Sequence, residues 1–230
     1  MTIINHNIKR SLENEMLAKY VSTQLNNFFP DDNLTTPLQL LEVINKAEER
    51  VFHCFSNIGK KYFYENGVTN FNHLISDQYC MYIYMLSNHI YQNGGDENLA
   101  TKLYYLNKAL HTVDIFYTSQ LPEIFLLVHP VGTIIGRGNF SDYFIAYQGC
   151  TVGCLNEGIF PTFEGKTILY ANSKVLGNCT IGDNVCFASD ASVVNEDIPS
   201  NKIVIGKSPK LIVRPNSKSV EERPPFVYGT

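Results

Sequence analysis

Residues 163–193 read FEGKTILYANSKVLGNCTIGDNVCFASDASV, and along this stretch Phe163, Leu169, Val175, Ile181, Phe187 and Val193 follow one another at intervals of six. With hydrophobic residues making up 44% of the chain, six in a row in a given phase arise by chance with a probability of roughly 0.7%. A second register decides the matter. Four residues after each aliphatic position stand Thr167, Ser173, Cys179, Val185 and Ala191, all small or β-branched, as a tight corner between strands requires. The pattern predicts a solenoid in which each coil is three short strands, and an inward aliphatic column stacks coil on coil because one coil cannot bury its own apolar face. Gly177-Asn178 and Gly182-Asp183-Asn184 supply turn residues able to take positive φ.

Working outward, the phase is expected to resume at Ile205 and Leu211 after Pro199. Toward the N-terminus Ile135-Gly136-Arg137-Gly138 reads as a first coil, and Phe144 and Cys150 as part of a later one. Two departures from the beat, between Ile135 and Phe144 and between Cys150 and Phe163, predict loops thrown out of the solenoid. The second, CLNEGIFP at 154–161, is where a ligand-contacting loop would sit, because binding residues concentrate on irregular segments held by a rigid scaffold.

From Asn7 to about Glu123 the apolar residues recur at helical spacing instead. Ile8, Leu12, Met16, Tyr20 and Leu25 form one stripe, and Leu40, Ile44, Ala47, Val51, Cys54 and Ile58 a second. Thr36-Pro37-Leu38-Gln39 opens the second helix: Thr36 caps, Pro37 takes the first helical position, and Gln39 reaches back as in a capping box. A third helix is expected over 71–89. A fourth follows Asp96, with Leu99, Leu103, Leu106, Leu110 and Val113 facing inward, and Asn93-Gly94-Gly95 turns between the two. His53, His73, His89 and His111 lie on these stripes and read as packing. The fold class is therefore α+β: an α-helical domain at 1–122, a parallel β-helix at 123–215 and a tail at 216–230.

The 230 residues carry a net charge of −4 and no Lys/Arg cluster, which speaks against nucleic acid or an anionic membrane surface as partner. No apolar run approaches the ~20 residues of a membrane span. The opening MTIINHNIKRSLENEM lacks a signal-peptide core, so a cytoplasmic location is expected. The six cysteines include no C-x-x-C pair and read as free thiols; Cys150 and Cys154 have no further ligands at metal-site spacing, so no metal is expected.

His129-Pro130, Ile135-Gly136-Arg137-Gly138, the run from Val175 to Val185 and the segment from Ile205 to Lys210 together resemble the serine acetyltransferase branch of the hexapeptide-repeat acyltransferases. The resemblance covers about 99–213. It implies a left-handed β-helix, a homotrimer, and acetyl-CoA bound in the groove between neighbouring subunits. It also implies a catalytic histidine after the I-G-R-G turn, an aspartate just before the H-P pair and a second histidine in the protruding loop. Here those positions hold Tyr143, Leu127 and Phe160, and His129 is the last histidine of the chain. The terminal Tyr228-Gly229-Thr230 likewise departs from the isoleucine by which that branch docks a partner sulfhydrylase.

Acyl transfer from a thioester to a hydroxyl needs a base and donors for the developing oxyanion. His129 is the candidate base, or else a structural residue that opens a coil. Asp142 can orient it or cap a turn, Tyr143 and Tyr147 can polarise the acceptor hydroxyl or simply pack, and backbone N–H groups near Gly149 or Gly153 can face the oxyanion. Glu157 is an alternative base. Gly153, Lys207, Ser208 and Lys210 are candidates for contacting CoA, the lysines through its phosphates. The expected activity is O-acetyl transfer from acetyl-CoA to a small hydroxylated acceptor, a surface-polysaccharide sugar in preference to serine. The alternatives are N-acetyl transfer to an amino sugar and a trimeric scaffold without chemistry.

Overall fold

The computed structural model describes residues 8–156 and 158–223. Asn7, Glu157 and the terminal Tyr228-Gly229-Thr230 lie outside the described residues. The first element is a small sheet of β1 (Ile8–Arg10), β2 (Tyr64–Glu65) and β3 (Val68–Phe71), in the order β1-β3-β2. Asn66 and Gly67 both take positive φ between β2 and β3, the two-residue turn whose twist suits an antiparallel hairpin.

The helices are α1 (Asn14–Phe28), α2 (Pro37–Ser56), α3 (Ser76–Gln92) and α4 (Glu97–His111), with α4 packed on α3 and α1. The capping box of α2 forms as its sequence requires: Gln39 N donates to Thr36 Oγ1 at 3.3 Å and Thr36 N to Gln39 Oε1 at 2.9 Å. Leu40, Ile44, Ala47, Val51, Cys54 and Ile58 are all buried. Three helical expectations need correction. Ile8 is in a strand and α1 starts only at Asn14, so its buried stripe is Leu17, Val21 and Leu25, while Met16 is 54% exposed. The third helix starts at Ser76 because β3 claims Val68–Phe71; the Gln78 amide closes the gap, accepting from Asn72 N and donating to the Asn70 and Tyr62 carbonyls. Leu110 of α4 faces solvent. Helix α3 is buried nearly all round, which its YCMYIYML run permits and a surface helix would not.

The remaining chain winds through three faces of short parallel strands. The first face stacks β4 (Phe125–Val128), β6 (Phe144–Tyr147), β9 (Thr167–Leu169), β12 (Val185–Phe187) and β14 (Lys202–Lys207). The second stacks β5 (Ile134–Ile135), β7 (Thr151–Gly153), β10 (Lys174–Leu176) and β13 (Ser192–Val194). The third holds β8 (Thr162–Phe163) and β11 (Thr180–Ile181), extended by bridges from Asn139 and Ile198. Every member of the predicted column from Phe163 to Val193 is buried, and so is the corner register of Thr167, Ser173, Cys179, Val185 and Ala191.

The column is longer than the sequence suggested. Ile115, Leu121 and Leu127 keep the six-residue beat and are buried, and Asp114 already bridges to Ile134. The segment between Ile135 and Phe144 is not an excluded loop. It passes along the third face with a five-residue step to Phe140, whose ring stacks on Phe163 at 5.2 Å between centroids. Phe144 and Cys150 belong to the corner register, since Phe144 pairs with Thr167 and Cys150 Sγ lies 3.5 Å from Ser173 Oγ. Before Pro199 the phase slips by one, so Ile198 and Val204 are buried and Ile205 and Leu211 only half-buried.

Both ends of the stack are covered. At the first coil Cys54 Sγ donates to the Phe125 carbonyl at 3.3 Å. At the last, β15 (Lys210–Pro215) folds back antiparallel on β14 where a further parallel coil was expected. The chain then crosses β12, where Asn216 Nδ2 donates to Asn184 O at 3.1 Å and Val220 N to Asn184 Oδ1 at 3.0 Å.

Candidate functional site

Strand β4 ends at Val128, and the chain turns at His129 with φ 47°, a left-handed conformation that costs a non-glycine residue about 1–2 kcal/mol. Asp77, in the first turn of α3, holds that turn: its Oδ1 accepts the His129 N–H at 3.1 Å. His129 Nδ1 stands 3.7 Å from the same oxygen; the imidazole is 74% exposed and the carboxylate 5%. On the next coil Tyr147 pairs with Val128, one residue before His129, and its ring lies 5.2 Å from that of Tyr170 on the coil after, centroid to centroid. Lys60 and Tyr62, from the segment after α2, close the cluster, with the Lys60 ammonium 5.3 Å from the Tyr62 ring centroid.

The electrostatics follow from partial burial. Desolvation pushes the Asp77 carboxyl up, against the pull of the His129 imidazole, the His129 N–H and Lys60. Burial lowers Lys60, opposed by Asp77. Burial raises Tyr62 to about 12, with Asp77 and Tyr147 adding to it, and raises Tyr147 with help from Tyr170. The phenols therefore remain O–H donors near neutrality.

Asp142 and Tyr143 are elsewhere. They precede β6, at the opposite end of the strand from Tyr147, about 13 Å away for the four residue steps from Tyr143 and one step more for Asp142. Asp142 Oδ1 accepts the Ile124 N–H at 2.9 Å, which anchors the start of β4, about 16 Å from His129 by five such steps. The structure thus sets Tyr147 beside Val128, the residue before His129, and leaves Asp142 unable to orient His129. Tyr143 has φ 64° and its N–H bonds the Ile124 carbonyl at 2.7 Å.

The loop 154–161 emerges where expected, between β7 and β8. Its Gly158 and Phe160, with Thr118, Gln120, Arg137, Gly138 and Asn139, line a cleft of about 320 Å³. Gly153, at the root of the loop, has open space where a Cβ would project. Lys207, Ser208 and Lys210 form the tip of the β14–β15 hairpin; Ser208 Oγ accepts the Val194 N–H at 3.0 Å, and both lysines are exposed. Among the described residues no group of three or more His, Cys, Asp or Glu side chains is placed to hold a metal ion, and no helix is long and apolar enough to cross a membrane.

Asp77, Lys60, Tyr62 and Tyr170 escape a reading of the sequence. Asp77 is 52 residues from His129, and no spacing rule links a helix first turn to a solenoid corner.

A helical domain feeding a three-faced parallel β-helix with one protruding loop is the fold of the serine acetyltransferases. The serine acetyltransferase of Vibrio cholerae superposes with a TM-score of 0.69 over 90% of this chain and 81% of that one, at 17% identity. That of Brucella abortus in complex with coenzyme A gives 0.67 over 91% and 84%, at 14% identity. In sequence, the serine acetyltransferase of Synechococcus elongatus is 34% identical over 116 residues, covering 49% of this chain and 47% of that protein. The chain therefore spans about half the length of that curated relative. No protein-family model matches this chain.

Proposed function

We propose that this protein is an acetyl-CoA-dependent O-acetyltransferase with serine as acceptor. The observation that carries the reading is the shared fold with a coenzyme A-bound serine acetyltransferase over nine-tenths of the chain. The one imidazole of the solenoid, exposed at a coil corner, is in keeping with it. The polysaccharide acceptor expected from the missing loop and coil histidines draws no support from these relatives, all of which are serine acetyltransferases. We further propose a left-handed winding, a homotrimer, and a division into 1–122, 123–215 and 216–230, with 114–121 as the pass that joins the helices to the first full coil.

In this mechanism the acceptor hydroxyl attacks the thioester carbonyl directly. His129 takes the hydroxyl proton as the new C–O bond forms, Tyr147 donates a hydrogen bond at the reacting oxygen, and collapse of the tetrahedral intermediate breaks the C–S bond. The proton passes from the imidazolium to the departing thiolate. Asp142 and Tyr143 stand at the other end of β6, where they would meet the substrate from a neighbouring subunit. Lys207, Ser208 and Lys210 lie about four coil spacings from His129, ~19 Å at ~4.8 Å each, comparable with the extended pantetheine-diphosphate arm of CoA. Gly153 leaves that path free of a side chain.

The test is thermal unfolding with and without acetyl-CoA, since a ligand at ~100 times its Kd adds about 2.7 kcal/mol to the native state. Stabilisation followed by serine-dependent release of CoA thiol supports the proposal. The absence of any shift at millimolar donor refutes it and favours the scaffold reading, which rests on Leu127, Tyr143 and Phe160 standing where the resembling family has its catalytic residues.

A further inference from the structure

We propose that Asp77 of the helical domain is the positioning residue for His129, so that the catalytic dyad is assembled across the seam between the helices and the solenoid. The inference rests on the acetyltransferase reading for the role of the dyad, while the coupling of the two side chains stands on geometry alone. A base in acyl transfer needs one ring nitrogen free for the acceptor and the other turned to a fixed acceptor group that holds the ring and stabilises the imidazolium. His129 has this arrangement. Its Nδ1 edge faces Asp77 Oδ1 at 3.7 Å, while the rest of the ring is open to solvent. The distance is that of a resting site, and such contacts tighten when substrate binds and charge develops.

Asp77 is suited to the task for reasons independent of His129. Its carboxylate is desolvated, fixed in the first turn of α3 and already committed to the backbone N–H of the residue whose ring it faces. The partial positive charge of the helix start favours its ionised form. The other groups facing the pair are Lys60, which supports the carboxylate, and the neutral phenol of Tyr62, beyond which stands Tyr147. Among the described residues Asp77 is the acid paired with His129: Asp142 is bound to Ile124 N at the far end of β4, and position 127 holds a buried leucine. The helical domain thereby provides the carboxylate that the solenoid lacks.

The decisive variant is Asp77→Asn, because an asparagine oxygen can still accept the His129 N–H and keep the left-handed turn, while the negative charge is lost. We expect kcat to fall about 100-fold, with the KM for acetyl-CoA within twofold of the parent. His129→Gln should cost as much, and the double variant no more than either single one, as for residues that act as a unit. Carbethoxylation of His129 by diethyl pyrocarbonate at pH 8, where an ordinary imidazole is neutral with or without a carboxylate beside it, followed by mass spectrometry, gives a readout that needs no turnover; it should slow several-fold in Asp77→Asn. An unchanged carbethoxylation rate, or Asp77 and His129 losses that multiply in the double variant, overturns the dyad. A slowed rate in a protein that neither binds acetyl-CoA nor releases thiol keeps the dyad and overturns the acetyltransferase reading.

Discussion

Replacing Gly177 by alanine measures how tightly one coil rests on the next. Gly177 follows β10 with φ 80°, and an added Cβ would overlap the Asn195 side-chain oxygen of the next coil and press on Leu155 Cδ1 at 3.2 Å. Three costs combine. The left-handed backbone costs an alanine about 1 kcal/mol. Displacing Asn195 breaks its 2.9 Å bond from Asn178 N, worth about 1 kcal/mol. The residual overpacking adds about 1 kcal/mol. Gly94→Ala is the control: φ is 63° and no heavy atom lies within 4 Å of the added Cβ, so only the backbone cost of about 1 kcal/mol applies. Urea unfolding followed by circular dichroism should therefore separate the two variants by about 2 kcal/mol. The melting temperature should drop by about 6–12 °C for Gly177→Ala and about 2–4 °C for Gly94→Ala in a chain of this size. Equal losses would refute the claim that coil-on-coil contact, rather than local conformation, makes glycine necessary at position 177.

Thr36→Ala removes the α2 capping box and should lower the unfolding free energy by about 1 kcal/mol, read from the urea midpoint. Burial pushes His111 down to about 4, against an opposing bond from Asn107, so the unfolded chain binds its proton first as pH falls. Stability present above pH ~6.5 should thus be lost toward pH 4, by about 2 kcal/mol once partial exposure is discounted, and His111→Gln should not show this loss; parallel pH curves would refute it. Ellman's reagent should titrate one thiol quickly in the native protein, Cys154, and all six in denaturant, because the other five are buried and burial raises Cys54 to about 12.

What could be read in advance was what depends on local periodicity. The run from Phe163 to Val193 is regular because each residue sees the same surroundings one coil above and below, so its environment is written every six positions. The α2 cap is legible because its hydrogen bonds span three residues. Single-residue slips at Phe140 and Ile198 shift the phase of the six-residue beat, which hid the first coils and moved the last one. Asn66-Gly67 did carry a hairpin signal, yet β-strands this short are masked by the helical stretches around them. The candidate site was legible only at His129, Tyr147 and the loop. Its carboxylate comes from Asp77, and long-range pairing between a helix and a coil corner leaves no mark in either segment alone.

A stack of parallel strands exposes unpaired backbone at each end, and each such edge is a template on which a second molecule can continue the sheet. In this protein one end lies beneath the helices and the other is turned back by β15, whose outer edge, unpaired among the described residues, carries Lys210, Arg214 and Pro215. Growth along the solenoid axis is therefore blocked by charge and by a residue without an N–H. The molecule has the internal order of a fibre but a fixed length. Coils can be added or removed only in its interior, and a chain cut before Lys202 would become a seed for end-to-end assembly.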